Sequence, residues 1–249
     1  MSVDIGRSVA DATCVVTGAS SGIGRETARA LAREGATVVL AARRESRLSE
    51  LAVELEREHG VDAAAVPTDV TEAGAVAALI ETTVERFGGV DLVVSNAGVA
   101  AGSDVAEMDT ETYRRMMAVN CDGTFYVTRA ALPHLRESEW GGHLVYVGSF
   151  AGQHPRPFNP VYAATKWWTR GFAKSVDAQV GDDVGVTVVN PAAVRTEFTV
   201  DGEPFADRFD PGEAVEPAEV AAAVVYAASQ SPSVVTELDL YDRDKLTLF

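Results

Sequence analysis

Lysine is scarce in this 249-residue chain: Lys166, Lys174 and Lys245 are the only ones among 21 basic residues. Against them stand 37 acidic residues, for a formal net charge of −16. Such a surface repels phosphate backbones and anionic lipid, so neither nucleic acid nor membrane is an expected partner. Acidic excess with little lysine fits a protein kept soluble in concentrated salt, and equally a merely acidic protein. Cysteine is nearly absent too. Cys14 and Cys121 form neither a metal-ligand spacing nor a disulfide framework, which points to no metal and to a reducing cytoplasm. Long apolar runs are missing. The longest uncharged stretch, Val220 to Thr236, is interrupted by Ser, Gln and Pro, and no basic segment followed by an apolar run opens the chain. Neither a membrane span nor a signal peptide is expected.

What is present is ordinary globular material, 47% hydrophobic and 23% charged, in short β-branched runs alternating with longer amphipathic segments. Strands are expected at 14–16, 37–40, 63–66, 92–94, 144–147, 184–189 and 235–240. Helices are expected between them, at 23–34, 45–59, 72–87, 110–136, 159–180 and 217–228. Near-continuous apolar strands separated by helices imply a parallel sheet covered on both faces. The expected fold is a single doubly wound α/β domain of Rossmann type, with about seven strands and ligands at their carboxyl ends. Residues 195–216, rich in Gly, Pro, Phe and acid, are too long for a simple connection and are a candidate lid.

Two constellations carry chemistry. Between the first strand and helix lies Gly18-Ala-Ser20-Ser21-Gly22-Ile23-Gly24, whose glycines permit a sharp turn and close approach of backbone to a pyrophosphate. Its spacing differs by one residue from the usual dinucleotide fingerprint, and a turn that simply needs glycine is the bland alternative. The second is Ser149, Tyr162 and Lys166. Tyr162 and Lys166 are four apart on an expected helix and share a face. An ammonium beside a phenol favours the phenolate, which suits tyrosine as an acid or base. Ser149 follows a strand at its carboxyl end, where such folds put ligands.

With these residues the chain resembles the short-chain dehydrogenase/reductase family, in its branch of about 250 residues. The resemblance rests on Thr17 to Gly24, Asp69-Val70, Ser95 to Gly98, Val119-Asn120, Gly148-Ser149 and Tyr162-Ala-Ala-Thr-Lys166. It implies a catalytic tetrad of Asn120, Ser149, Tyr162 and Lys166. It also implies adenine contacts from Asp69 and Val70, a ribose side lined by Asn96, Ala97 and Gly98, and carboxamide contacts near Pro191, Val194 and Thr196. Two departures stand out. Ala192 replaces the glycine usual after Pro191, which restricts the backbone there, and the last strand lacks the Gly-Gly of many members.

Cofactor choice turns on the end of the second strand, where an NAD enzyme carries an acid. Here Ala42 is followed by Arg43 and Arg44, and a guanidinium can grip a 2′-phosphate. The expected cofactor is NADP(H), preferred over NAD(H). The bland alternative is a solvated charge pair, although cations at a helix start oppose its dipole.

Other residues carry less. Cys14, Cys121, His59, His134 and His143 read as packing or local hydrogen bonds, and Glu50, Glu54 and Glu58 as a solvated helix face. His154 and Arg156 lie in a loop that faces substrate in the family and are candidates for polar recognition. Trp167 and Trp168 read as interface or core, and Phe198, Phe205 and Phe209 as lid aromatics or ordinary packing. The resulting expectation is a homodimeric or homotetrameric oxidoreductase interconverting an alcohol and its ketone or aldehyde, with a small-molecule carbonyl or alcohol substrate. Its rivals are a redox-neutral epimerase or dehydratase, and a nucleotide-sensing protein without turnover.

Overall fold

The computed structural model describes residues 6–200 and 202–243. In chain order the elements are β1 (Thr13–Thr17), α1 (Gly22–Arg33), β2 (Thr37–Ala42), α2 (Glu45–His59), β3 (Ala63–Pro67), α3 (Ala73–Phe87) and β4 (Leu92–Ser95). There follow α4 (Thr110–Met117), α5 (Gly123–Glu137), β5 (His143–Val147), α6 (Pro160–Val180), β6 (Gly185–Pro191), α7 (Phe205–Arg208), α8 (Pro217–Ala228) and β7 (Glu237–Leu240). The strands form one seven-stranded sheet in the order β3-β2-β1-β4-β5-β6-β7, parallel throughout.

Alternation along each strand divides the core in two. Cys14, Val16, Val38 and Leu40 face α1, α2 and α8, which bury Leu31, Leu48, Leu55 and Val224 against them. Val15, Val39, Leu144 and Tyr146 face α3, α5 and α6, with Leu79, Ile80, Leu135 and Val176. Because both faces are covered, β1 is buried at every residue, which is why it reads as an unbroken apolar run. The chain leaves β1 toward β2 and β3, then returns to place β4 on the other side of β1. That reversal opens a crevice beyond the carboxyl ends of β1 and β4.

Three expectations change on contact with the structure. The helix expected over 110–136 is interrupted: Ala118–Asp122 is a π-helical segment between α4 and α5. Its wider turn rotates Asn120 inward, an irregularity that is common at functional sites. Glu54 is not simply solvated. It pairs with Arg29 of α1 through two contacts of 2.6 and 2.9 Å, tying α2 to α1 with a half-buried ion pair that contributes about 1 kcal/mol. The alanine that replaces glycine at 192 is accommodated without strain, since among the described residues only glycines have positive φ.

Candidate active site

The carboxyl ends of the strands surround a cleft of about 560 Å³ that runs from Arg43 and Asp69 at one end to Phe158 and Phe205 at the other. At its floor, Gly18 and Gly22 take φ of +68° and +53°, conformations that side chains disfavour. Gly24 is required by proximity instead, because a Cβ there would stand 2.5 Å from the carbonyl oxygen of Gly18. The turn is pinned from the next strand. Thr17 Oγ1 accepts from the amides of Asn96 and Ala97 at 2.9 and 3.1 Å, and Asn96 Nδ2 donates to Thr17 O at 2.8 Å.

Helix α1 begins at this turn with no acidic residue in its first turn and no side-chain cap from Ser21. The Ser21 hydroxyl is engaged elsewhere, accepting from Arg44 Nη2 at 2.7 Å, while Ser20 Oγ accepts from Arg44 at 2.8 and 3.0 Å. Arg44 and Arg47 also meet Glu197 of the 195–216 segment, at 3.4 and 2.8 Å. Uncapped amides at a helix start form an anion site, and a cation beside them strengthens it. Arg43, by contrast, makes no hydrogen bond or ion pair among the described residues and lines the cleft beside Asp69. The Asp69 carboxyl lies below its usual range, chiefly because it accepts from the amide of Thr71, with the Arg43 charge adding to the effect.

At the other end, Ser149 follows β5, and Tyr162 and Lys166 project from the first turns of α6. Ser149 Oγ accepts from the amide of Ala151 at 3.1 Å, and its hydroxyl is near enough to the Tyr162 phenol to draw it downward. Burial pushes that phenol up to about 12, against the opposing pull of the Ser149 hydroxyl and the Arg156 charge. Lys166 is 7% exposed, and burial lowers its ammonium to about 8. Its Nζ donates to Val147 O at 2.8 Å and lies 6.0 Å from the centre of the Tyr162 ring. The groups that draw the phenol downward are therefore Ser149 and Arg156, where the sequence pointed to the lysine.

Nearly every expected residue comes to this cleft: Gly18, Ser20 to Ile23, Arg43, Arg44, Asp69, Val70, Asn96 to Gly98, Ser149, Tyr162, Lys166, Pro191, Val194 and Thr196. Gly24 and Asn120 lie behind it. The Asn120 carboxamide is saturated: Oδ1 accepts from Val99 N, and Nδ2 donates to Val99 O and Thr165 Oγ1, at 2.9 to 3.0 Å. From the 195–216 segment, Phe198 and Phe205 line the cleft, with the Phe198 ring 5.9 Å from that of Tyr162. Phe209 packs behind Phe205, and Asp201 lies outside the described residues. Sequence reasoning missed Glu197, Arg47 and Asn159, since nothing in their local pattern shows where the folded loops meet. Among the described residues no cluster of three His, Cys, Asp or Glu is placed to hold a metal ion. No described helix is long and apolar enough to cross a membrane.

The comparisons agree with this fold. The short chain dehydrogenase family profile matches residues 12–205. An uncharacterized oxidoreductase of Staphylococcus epidermidis is 35% identical over 227 residues, covering 91% of this chain and 94% of the relative. The alcohol dehydrogenase from the archaeon Thermococcus sibiricus, complexed with 5-hydroxy-NADP, superposes with a TM-score of 0.85 at 33% identity, over 93% of this chain and 97% of that one. A 3-ketoacyl-(acyl-carrier-protein) reductase from Brucella melitensis, complexed with NADH, gives 0.84 at 28% identity with the same coverage, 93% and 97%. The profile spans most of the chain and the relatives match it nearly end to end, so the chain belongs to the short-chain dehydrogenase family of oxidoreductases.

Proposed function

We propose that the protein is an NADP(H)-dependent oxidoreductase that interconverts an alcohol and its ketone or aldehyde. One observation carries the reading: a single cleft is lined by Ser149, Tyr162 and Lys166 and by Arg43, a cation unpaired among the described residues. The residues fit a dinucleotide. The uncapped start of α1 offers amides to a pyrophosphate, with Ser20 to Gly24 as its cradle and Arg44 beside it. Arg43 would hold a 2′-phosphate, Asp69 and Val70 the adenine, and Asn96, Ala97 and Gly98 the ribose side. Lys166 keeps donors beyond its bond to Val147 for the second ribose, and Pro191, Val194 and Thr196 lie where a carboxamide would be held. The bound nicotinamide would supply or accept the hydride. The two structural relatives carry cofactors of both kinds, so the preference for NADP(H) rests on Arg43 and on the absence of an acid at Ala42.

In the reductive direction Tyr162 donates its proton to the oxygen of the substrate carbonyl. A phenol held near 12 is fully protonated at neutral pH and suited to that role. Ser149, whose oxygen is already occupied by the Ala151 amide, directs its own O–H toward the same oxygen as negative charge develops. Asn120 acts from behind. By tying Val99 to Thr165 it positions α6, and with it Tyr162 and Lys166. The 195–216 segment serves as a lid, with Phe198 over Tyr162 and Glu197 clasped by Arg44 and Arg47.

The reading includes a cytoplasmic setting and a homodimer or homotetramer. Tyr113, Phe125, Trp167 and Trp168 are 46, 40, 46 and 36% exposed on α4, α5 and α6. Phe125 and Trp168 meet through Phe172, so the apolar surface is continuous across two helices. A monomer by light scattering in both dilute and molar salt would end that part of the proposal. The test of function is cofactor absorbance at 340 nm across sugars, hydroxy acids, ketones and acyl thioesters. Stoichiometric loss or gain of absorbance supports the reading. Turnover without it favours an epimerase or dehydratase, and binding without turnover a sensor.

A further inference from the structure

The substrate end of the cleft contains a cation that has no anionic partner among the described residues. Arg156, in the loop between Ser149 and Tyr162, lines the cleft and lies over the rings of Phe150 and Phe158, 5.5 and 4.4 Å from their centroids. Its Nε is buried with no hydrogen-bond partner, and no carboxylate among the described residues pairs with it. A buried N–H without a partner is costly, and a ligand acceptor in the cleft would relieve that cost. On the same wall Asn159 is 3% exposed, and its Oδ1 is likewise buried and unpartnered.

The charge around this point is distinctive. Among the described residues two carboxylates line the cleft, and both are committed elsewhere: Asp69 to Thr71, and Glu197 to Arg44 and Arg47. Arg115 of α4 adds a second cation to the cleft wall. In a chain of net charge −16, the substrate end is thus a positive pocket walled by Phe158, Phe198 and Phe205. A planar guanidinium with an unmet N–H matches a carboxylate better than any neutral group.

We propose that Arg156 binds a carboxylate carried by the substrate, so that the enzyme reduces an oxo acid, or oxidises the matching hydroxy acid, with an apolar body against the phenylalanine wall. This rests on the reading of Tyr162 as the acid, and it deepens that reading by naming the substrate class. The overall change is balanced: hydride from NADPH forms the new C–H bond at the carbonyl carbon, and the Tyr162 proton passes to its oxygen.

The test compares 2-, 3- and 4-oxopentanoate with their methyl esters, as kcat/KM with whichever nicotinamide cofactor the enzyme accepts. The wild type should favour the acid by about tenfold or more at one or more of the three spacings. Arg156→Gln should bring that ratio toward one, and Arg156→Lys should retain part of it. Any effect of Arg156 on the phenol, or on folding, acts on both members of a pair and cancels in the ratio. Esters reduced as well as or better than the acids at every spacing, or a ratio unmoved in Arg156→Gln, would overturn the proposal while leaving the reductase reading intact. Where neither member is turned over, the reductase reading fails on these probes, and calorimetry with cofactor-saturated protein decides for Arg156. Acid-selective binding that is lost in Arg156→Gln supports it, and equal or absent binding overturns it.

Discussion

Replacing Arg43 by alanine separates the two cofactors more cleanly than any other single change. The side chain is exposed at the end of β2 and makes no hydrogen bond or ion pair among the described residues, so its removal disturbs little else. Against a 2′-phosphate it would form a charge-assisted contact of roughly 1.5–3 kcal/mol. Exposure and salt screening put the expected loss at the lower end, about 1.5 kcal/mol, or roughly tenfold in kcat/KM for NADPH. NADH lacks the phosphate and should change by less than about twofold. Arg44→Ala should behave differently, because Arg44 holds Ser20, Ser21 and Glu197 and its loss loosens the cradle for both cofactors. Adding Asp at position 42 to Arg43→Ala should shift the preference further toward NADH, by accepting from ribose hydroxyls and repelling phosphate. The assay is kcat/KM for both cofactors with wild type, each single variant and Arg43→Ala/Arg44→Ala. A wild type that prefers NADH, or a double variant with an unchanged ratio, would refute the assignment.

Tyr162→Phe should lower kcat by about 10²–10⁴-fold with cofactor affinity nearly unchanged, and comparable turnover in the two proteins would remove Tyr162 from the chemistry. Because the phenol is pushed up to about 12, its base form grows as pH rises, so kcat/KM for alcohol oxidation should climb through the alkaline range while reduction near neutrality stays flat. A flat oxidation profile would contradict that role. His143 is lowered from 6.5 to about 3, first by burial and then by the Arg7 charge, so between those values the unfolded chain binds a proton that the folded one refuses. Stability is therefore lost as pH falls below about 6.5, by roughly 2 kcal/mol at pH 5, and urea melts at pH 7.5 and 5 should show a smaller loss in His143→Gln. Molar KCl should raise Tm, because screening to roughly 3 Å relieves carboxylate repulsion, and an unchanged or lower Tm would count against salt adaptation.

The order of strands and helices was legible because each element declares itself locally. Strands buried on both faces read as β-branched runs, and α2 and α8 begin and end at the residues where their amphipathic pattern does. The break in the 110–136 helix was not legible. The π-helical turn at Ala118–Asp122 preserves apolar periodicity on either side, and what it accomplishes is to turn one carboxamide toward partners at Val99 and Thr165. Glu54 failed for a similar reason: its partner Arg29 belongs to another helix, and no single-helix pattern reveals it.

By itself, then, the chain determined the doubly wound sheet, the glycine turn beyond β1 and the placement of Tyr162 and Lys166 one turn apart on α6, because these follow from periodicity and spacing within one or two elements. Tertiary structure alone decided which way each polar group points. It set Lys166 on the Val147 carbonyl, left the phenol to Ser149 and Arg156, and joined Arg44 to Ser20, Ser21 and Glu197. It also left Arg43 and Arg156 without a carboxylate partner among the described residues. Those outcomes depend on loops that meet only because β1, β4, β5 and β6 lie side by side with their carboxyl ends together. Hydrogen bonds and ion pairs are short-ranged and directional, so partners distant in sequence are chosen by the order of the sheet and not by the residues beside them.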